Sequence, residues 1–191
     1  MNFFPAFLQF ENFEILIIGG GVVATNKLNK LLDFSEKITI ISPLICDDMQ
    51  KLIDKFGLRV FMRDYKIGDI QNYQIAVIAI DDIELQQKIY NEGKKYNVLC
   101  NVVDSAKISD FIFPSYIKKG DLTIAISTSG ASPAFAKELK KFLGELIPNS
   151  VAGFLCQMRS YREELPKGKK RMKFLADIAK IEIKNWRKKD E

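Results

Sequence analysis

The chain has 191 residues, 47% of them hydrophobic, which suffices for one large domain or for an ordinary domain with a smaller appendage. Its formal charge is +5, it contains no histidine, and its three cysteines are far apart, so a disulfide framework and histidine-based chemistry are excluded. No apolar run approaches the roughly 18 residues of a membrane-spanning helix, and the N-terminus lacks the basic region of a signal peptide.

The first two-thirds of the chain alternates short apolar runs with longer amphipathic ones. Strands are predicted at residues 14–18, 38–41, 58–62, 74–80 and 98–103, and helices at 24–34, 47–56 and 83–96. Continuous β-branched runs separated by helical periods indicate a parallel sheet covered on both faces, with right-handed crossovers. We therefore predict an α/β fold with a doubly wound, Rossmann-type parallel sheet over residues 1–113.

The pattern changes after Asp104. A short apolar piece at 111–114 ends in proline, and residues 122–127 alternate like an antiparallel strand. Ser132 as N-cap and Pro133 in the first turn predict a helix over 134–146. From Val151 the pattern is helical, with a break at 166–168. We predict a dimerisation element at 114–150 and a small basic helical domain at 151–191.

The C-terminal helical segment carries most of the excess positive charge. Ten basic residues lie between positions 167 and 189: Lys167, Lys169, Lys170, Arg171, Lys173, Lys180, Lys184, Arg187, Lys188 and Lys189. Such a run forms either a solvated helix face or a binding surface for a polyanionic substrate or a nucleic acid. Composition alone slightly favours the solvated face.

A glycine-rich loop follows the first predicted strand and opens the first predicted helix. Its residues are Gly19, Gly20, Gly21, Val22 and Val23, and with Ala24 they fit the pattern G-x-G-x-x-A. The glycines allow a tight turn and a close approach of pyrophosphate, and the helix N-terminus supplies N–H donors. We predict that these five residues hold the pyrophosphate of a nicotinamide cofactor.

The side chains at the two ends of that cofactor depart from the usual dinucleotide-binding pattern. The second strand ends at Ser42, where there is neither an acid to bind both ribose hydroxyls nor an Arg to bind a 2′-phosphate, so the side chains leave NAD and NADP open. Ser42, Pro43 and Leu44 are predicted to hold the adenosine end. Asp81 follows the fourth strand, where it is either a helix cap, the reading we favour, or a cofactor ligand. Asp104 follows the fifth strand, where it is either a turn residue or a base beside the nicotinamide.

Several pieces of the sequence, in this order and spacing, resemble one family. They are Phe4-Pro5, Gly19-Gly20-Gly21-Val22-Val23-Ala24-Thr25-Asn26-Lys27, Ala79-Ile80-Asp81-Asp82, Asn101-Val102-Val103-Asp104, Phe113-Pro114-Ser115 and Ser127-Thr128-Ser129-Gly130-Ala131-Ser132-Pro133. The chain resembles the precorrin-2 dehydrogenases, a module that forms the N-terminal part of multifunctional siroheme synthases and also occurs alone. The resemblance covers residues 4–146 well.

The resemblance implies a reaction, a cofactor and partners. The family oxidises precorrin-2 to sirohydrochlorin with NAD, some members also insert ferrous iron, and the enzyme is a homodimer with its cleft between the Rossmann sheet and the remaining parts. Asp104 matches the catalytic aspartate, Gly21-Val22-Val23 match cofactor-binding positions, and Pro43-Leu44 match the pair near the adenosine. The substrate carries eight carboxylates, so the basic C-terminal helices gain a candidate ligand. No resident metal site, nucleic acid or membrane partner is implied, and the spaced thiols fit a cytoplasmic location.

Two other readings of the sequence stay open. One is a different NAD-dependent oxidoreductase, for which Tyr90 and Lys94 match the pattern Tyr-x-x-x-Lys, although they lie within a predicted helix. The other is a non-catalytic, regulatory NAD-binding domain. A nucleic-acid binder would need more than Trp186 in the basic tail, because no recognised binding motif is present.

Overall fold

The computed structural model describes residues 3–187, which form two compact units. The first unit spans Phe3–Ile112, and the second begins at Phe113. The finer division of the second part into 114–150 and 151–191 stays a prediction.

The first unit is a five-stranded parallel sheet with helices between its strands. The strands are β1 (Ile15–Ile18), β2 (Ile38–Ile41), β3 (Arg59–Phe61), β4 (Ile75–Ile78) and β5 (Leu99–Val102), in the spatial order β3-β2-β1-β4-β5. The helices are α1 (Val22–Leu31), α2 (Asp47–Phe56) and α3 (Ile83–Lys95), and short 3-10 turns occur at Phe10–Asn12 and Ala106–Ile108. The predicted Rossmann-type parallel sheet is confirmed.

The central strands form the core because their side chains, apart from Thr39, are apolar on both faces. Every residue of β1, β2 and β4 is buried, as expected for a parallel sheet covered on both sides. Helix α1 adds Ala24, Leu28 and Leu31, which recur at helical spacing and are at most 2% exposed. Each fully buried Ile or Leu contributes about 1.5–3 kcal/mol, so this register is strongly specified.

The second unit begins with an antiparallel hairpin and continues as three helices. The hairpin pairs β6 (Ser115–Lys119) with β7 (Leu122–Ile126), and the helices are α4 (Pro133–Leu146), α5 (Val151–Glu164) and α6 (Lys169–Arg187). Ser132 accepts a hydrogen bond from the Phe135 N–H at 3.1 Å, so the predicted N-cap of α4 is confirmed. The sequence pattern missed β6, because Ile117 is its only buried residue and one buried position is too weak an apolar signal for a strand.

No two of the three cysteines are joined by a disulfide. Cys46, Cys100 and Cys156 are all free thiols, and Cys100 is fully buried as predicted. Burial raises the pKa of Cys100 to about 12, so this thiol is unreactive at neutral pH. Among the helices of residues 3–187, none is both long and apolar enough to cross a membrane.

Candidate functional site

The carboxyl ends of the strands meet in register along one edge of the sheet. Backbone bonds extend the ladder one residue past the strands: Gly19 donates to Ile41, Ala79 donates to Ile18, and both bonds are under 3.0 Å. The strand order reverses between β1 and β4, and open α/β sheets bind their ligands at such a point. A cleft of about 570 Å³ lies there, lined by residues 18–24, 41–44, 64–65, 79–82 and 85.

The first two glycines of the loop are required by backbone packing. Gly19 has φ +117°, and a Cβ there would lie 2.1 Å from the Ala79 carbonyl oxygen. A Cβ on Gly20 would lie 2.0 Å from the Leu44 carbonyl oxygen. These two positions therefore hold the loop against β4 and against the segment after β2.

The third glycine faces open space. No atom lies within 4 Å of the position that a Cβ on Gly21 would occupy. Gly21 is the N-cap of α1 and offers no side-chain acceptor to the first N–H groups of the helix, which have no partner within the helix. This cradle of backbone donors at a positive helix end fits a pyrophosphate. Val22 and Val23, 70% and 47% exposed, line the same cleft.

The loop after β2 lines the cleft at the predicted adenosine end. Ser42 is buried, and its hydroxyl donates to the Leu44 carbonyl oxygen at 2.7 Å, so its proton holds the loop. Only the lone pairs of this hydroxyl remain for a ligand. Pro43 and Leu44 also line the cleft, and Leu44 is 79% exposed, so it offers an apolar surface there.

The two acids after β4 have separate roles. Asp82, not Asp81, caps α3: its carboxylate accepts the Leu85 N–H at 2.9 Å. The favoured reading of Asp81 as the cap was wrong, because α3 begins at Ile83 and the N-cap is the residue immediately before it. Asp81 lines the cleft.

The structure adds Asp64 and Tyr65 to the cleft, which the sequence analysis missed. Both follow β3, so the rule that pointed to the residues after β4 and β5 would also have found them. Tyr65 donates a 2.6 Å hydrogen bond to the buried Glu92 carboxylate, which also accepts the Gly68 N–H. Burial, and then the bond to Glu92, raise the pKa of Tyr65 well above its usual value, so it stays neutral.

Asp104 lies two residues past β5 in a turn, at the same edge of the sheet. It has φ +57°, a left-handed conformation that Asp and Asn adopt more readily than other side-chain-bearing residues. The residue is exposed and does not line the cleft described above. Its carboxylate interacts electrostatically with Lys27 of α1. Burial, followed by repulsion from Lys30, lowers the pKa of Lys27, and the Asp104 charge opposes that shift.

Tyr90 and Lys94, the residues that match Tyr-x-x-x-Lys, share one acidic partner. Both side chains contact the Asp110 carboxylate, and the Lys94 ammonium lies 5.2 Å from the centre of the Tyr90 ring. The hydrogen bond to Asp110 raises the pKa of Lys94. Asp110 also accepts the Cys100 N–H at 2.9 Å, so the group ties α3 to β5. None of these residues lines the cleft.

The basic residues between positions 167 and 189 differ in their contacts. Arg171 donates to the carbonyls of Arg162 and Leu165 at the end of α5, so its role there is structural. Lys169, Lys170 and Lys173 are exposed. Lys188 and Lys189 lie outside the described residues. Within residues 3–187, no three His, Cys, Asp or Glu side chains are grouped to hold a metal ion.

Two family models match successive parts of the chain. A family model described as putative NAD(P)-binding matches residues 6–115, and one described as sirohaem biosynthesis protein central matches residues 119–146. The siroheme synthase of Pseudoalteromonas atlantica is 34% identical over 152 residues, covering 80% of this chain and 33% of the relative. That of Methylococcus capsulatus is 29% identical over 178 residues, covering 91% of this chain and 38% of the relative.

A solved structure shares the fold over nearly the whole chain. SirC, precorrin-2 dehydrogenase, matches with a TM-score of 0.75 and 23% sequence identity, covering 98% of both chains. At this level of identity the likeness establishes the fold alone. The chain spans about a third of the length of the curated siroheme synthases.

Proposed function

We propose that the chain, which belongs to the family described as putative NAD(P)-binding, oxidises precorrin-2 to sirohydrochlorin with NAD as the acceptor. The observation that carries the proposal is the glycine cradle. Gly21 leaves open space at the N-terminus of α1, at the reversal point of a parallel sheet. The names of the similar proteins, siroheme synthase and precorrin-2 dehydrogenase, supply the substrate class.

The residues of the cleft divide into binding and positioning groups. Nicotinamide, when bound, supplies the hydride acceptor. The N–H groups that follow Gly21 bind the pyrophosphate, while Val22 and Val23 exclude water beside it. Pro43 and Leu44 contact the adenosine side, and Asp81 is placed to accept hydrogen bonds from ribose or carboxamide groups.

Asp104 is the proposed general base. Oxidation of the macrocycle releases a proton as well as a hydride, and a carboxylate at the sheet edge accepts that proton on an Oδ atom. The Lys27 side chain of α1 interacts electrostatically with this carboxylate. A base of this kind contributes about 10²–10⁴-fold to the rate.

The second unit fits a polyanionic substrate and a homodimer. Lys169, Lys170 and Lys173 are exposed cations for the substrate carboxylates.

Phe135, Phe142 and Leu146 recur along one face of α4 and are 60%, 60% and 42% exposed. An apolar face of this kind suits a contact with a second copy of the chain, which is the assembly that the family resemblance implies.

Insertion of ferrous iron is a second candidate activity. The observation that favours it is that the similar proteins are named siroheme synthase, and siroheme contains iron. The chain matches 33–38% of the length of these relatives. The tetrapyrrole nitrogens are the final ligands, so no closed protein site is needed. Incubating sirohydrochlorin with ferrous iron, with and without the protein, tests this activity, and equal rates in both samples would exclude it.

The main proposal is tested by following precorrin-2 oxidation spectroscopically, with NAD and with NADP. We expect sirohydrochlorin to form only with the protein and a dinucleotide, and faster with NAD. Dinucleotide binding without any tetrapyrrole turnover would favour the regulatory NAD-binding domain. Turnover of other substrates but not of precorrin-2 would favour a different oxidoreductase.

A further inference from the structure

We propose that Asp64 makes this protein select NAD over its 2′-phosphorylated form, NADP. The inference rests on the proposed function, because it requires the cleft to bind a nicotinamide dinucleotide. It assigns to the residue after β3 the role that an acid after β2 has in other dinucleotide-binding sheets. That position is Ser42 here, and its hydroxyl proton is held by Leu44.

The location of Asp64 in the cleft points to the adenosine half. With pyrophosphate at the N-terminus of α1, the two halves of a dinucleotide lie on opposite sides of the reversal point. The adenosine half lies over β2 and β3, where an acid normally binds its ribose. Asp64 lines the cleft on this side, together with Ser42 and Leu44.

Two carboxylate clamps hold the segment that carries Asp64. Arg63 donates two hydrogen bonds to Asp69, at 2.6 and 2.9 Å, and one to the Asp64 carbonyl oxygen. Tyr65, on the other side of Asp64, is bonded to the buried Glu92. The backbone on both sides of Asp64 is therefore fixed, which is the condition for a side chain to discriminate between ligands.

The charges of this region favour NAD. The Asp64 carboxylate itself accepts no hydrogen bond and forms no ion pair within residues 3–187, so it is available to a ribose hydroxyl. Arg63 is the nearest cation in sequence, but Asp69 binds its guanidinium with two bonds. The described lining of the cleft contains Asp64, Asp81 and Asp82 and no Lys or Arg. A 2′-phosphate, with a charge of about −1.5 to −2, would enter a negative site.

The test measures binding of NAD⁺ and NADP⁺ by calorimetry to the full chain, without substrate. Asp64→Asn keeps the size of the side chain and removes its charge. Asp54→Asn is the matched control, because Asp54 is exposed on α2, does not line the cleft, and its hydrogen bond from Gln50 can be kept by Asn. Both variants change the net charge of the protein equally.

We expect the wild type and Asp54→Asn to bind NAD⁺ at least about tenfold more tightly than NADP⁺. Asp64→Asn should reduce this ratio about tenfold, mainly by tightening NADP⁺ binding. An unchanged ratio in Asp64→Asn, or equal binding of both dinucleotides by the wild type, would overturn the assignment.

A second measurement needs no variant and applies even if Asp64→Asn folds poorly. Raising the salt from about 0.1 M to about 1 M shortens the Debye length from about 10 Å to about 3 Å, so the wild-type preference for NAD⁺ should fall. A preference that is insensitive to salt would contradict an electrostatic origin. NAD⁺ binding without precorrin-2 turnover would refute the proposed function but leave the Asp64 assignment intact. Turnover of precorrin-2, together with an unchanged ratio of NAD⁺ to NADP⁺ affinity in Asp64→Asn, would refute the Asp64 assignment but leave the proposed function intact.

Discussion

The three glycines of the loop illustrate how neighbouring residues of one type have different roles. Gly19 and Gly20 are required by carbonyl oxygens of the protein itself, at 2.1 and 2.0 Å from their missing Cβ atoms. A Cβ on Gly21 would have no such neighbour within 4 Å. Packing therefore explains the first two glycines, whereas no atom of the protein requires the third to lack a side chain.

This difference predicts opposite effects of two substitutions. Gly21→Asp should fold normally, since Asp is a preferred N-cap and meets no atom, but should lose NAD⁺ affinity by at least about tenfold through charge repulsion. Gly20→Ala should destabilise the protein by about 1–3 kcal/mol, because its Cβ meets the backbone at Leu44. Thermal melts and calorimetry measure the two effects, and a Gly21→Asp variant with wild-type NAD⁺ affinity would contradict the cradle.

Asp104 needs a variant that separates its place in the turn from its proposed role as a base. Because Asn also adopts the left-handed conformation seen at φ +57°, Asp104→Asn should keep the turn and remove only the base. We expect precorrin-2 turnover to fall about 10²–10⁴-fold with NAD⁺ affinity nearly unchanged. Asp54→Asn serves as the control, and a wild-type rate in Asp104→Asn would leave Asp104 a turn residue only.

The loop between β3 and β4 shows how an irregular element is held without regular structure. Residues 62–74 contain no strand or helix, yet Asp69 binds Arg63 and the Lys66 N–H, and Ile70 is fully buried. The hydrogen bond from Arg63 holds the pKa of Asp69 below its usual value. This element therefore depends on an ionised carboxylate.

The stability of this element should depend on pH in a definite direction. Because the folded-state pKa of Asp69 is lowered, its contribution is complete above its unfolded pKa of about 3.9 and is lost as the pH falls through the folded value. Asp69→Asn should be less stable than the wild type at pH 7, and the difference should shrink towards about pH 3. Urea unfolding at several pH values measures this, with Asp64→Asn as a control whose carboxylate has no partner among the described residues. A pH-independent difference would contradict the ion-pair explanation.

At the scale of the whole molecule, negative and positive charges are concentrated in different units. The first unit presents Asp64, Asp81 and Asp82 in its cleft, while α6 presents exposed lysines. The α6 lysines would attract a polyanionic substrate, and the cleft acids would repel it. Binding of the substrate and binding of the dinucleotide should therefore respond differently to changes of charge.

We expect replacement of Lys169, Lys170 and Lys173 by Glu to raise the KM for precorrin-2 severalfold and to weaken its dependence on salt, with kcat and the Kd of NAD⁺ unchanged. The matched control is the replacement of three other exposed lysines, Lys37, Lys55 and Lys88, by Glu, since all three lie outside the cleft and the change in charge is the same. Steady-state kinetics at several salt concentrations measures the effect. An unchanged KM would make the basic run a solvated helix face.

Sequence alone determined the parallel sheet, the positions of most of its strands and helices, and the glycine loop. Hydrophobic periodicity and glycine patterns are local signals that survive without knowledge of the fold. Tertiary structure decided that Asp82 and not Asp81 caps α3, that the Ser42 proton belongs to Leu44, that Asp64 enters the cleft, and that Asp104 lies near Lys27. The bonds of Asp82 and Ser42 are local, but hydrophobic periodicity fixes neither the exact first residue of a helix nor the partner of a hydroxyl. The positions of Asp64 and Asp104 depend on strand order, which brings residues far apart in the chain to one edge of the sheet, and no local pattern encodes which of them will meet.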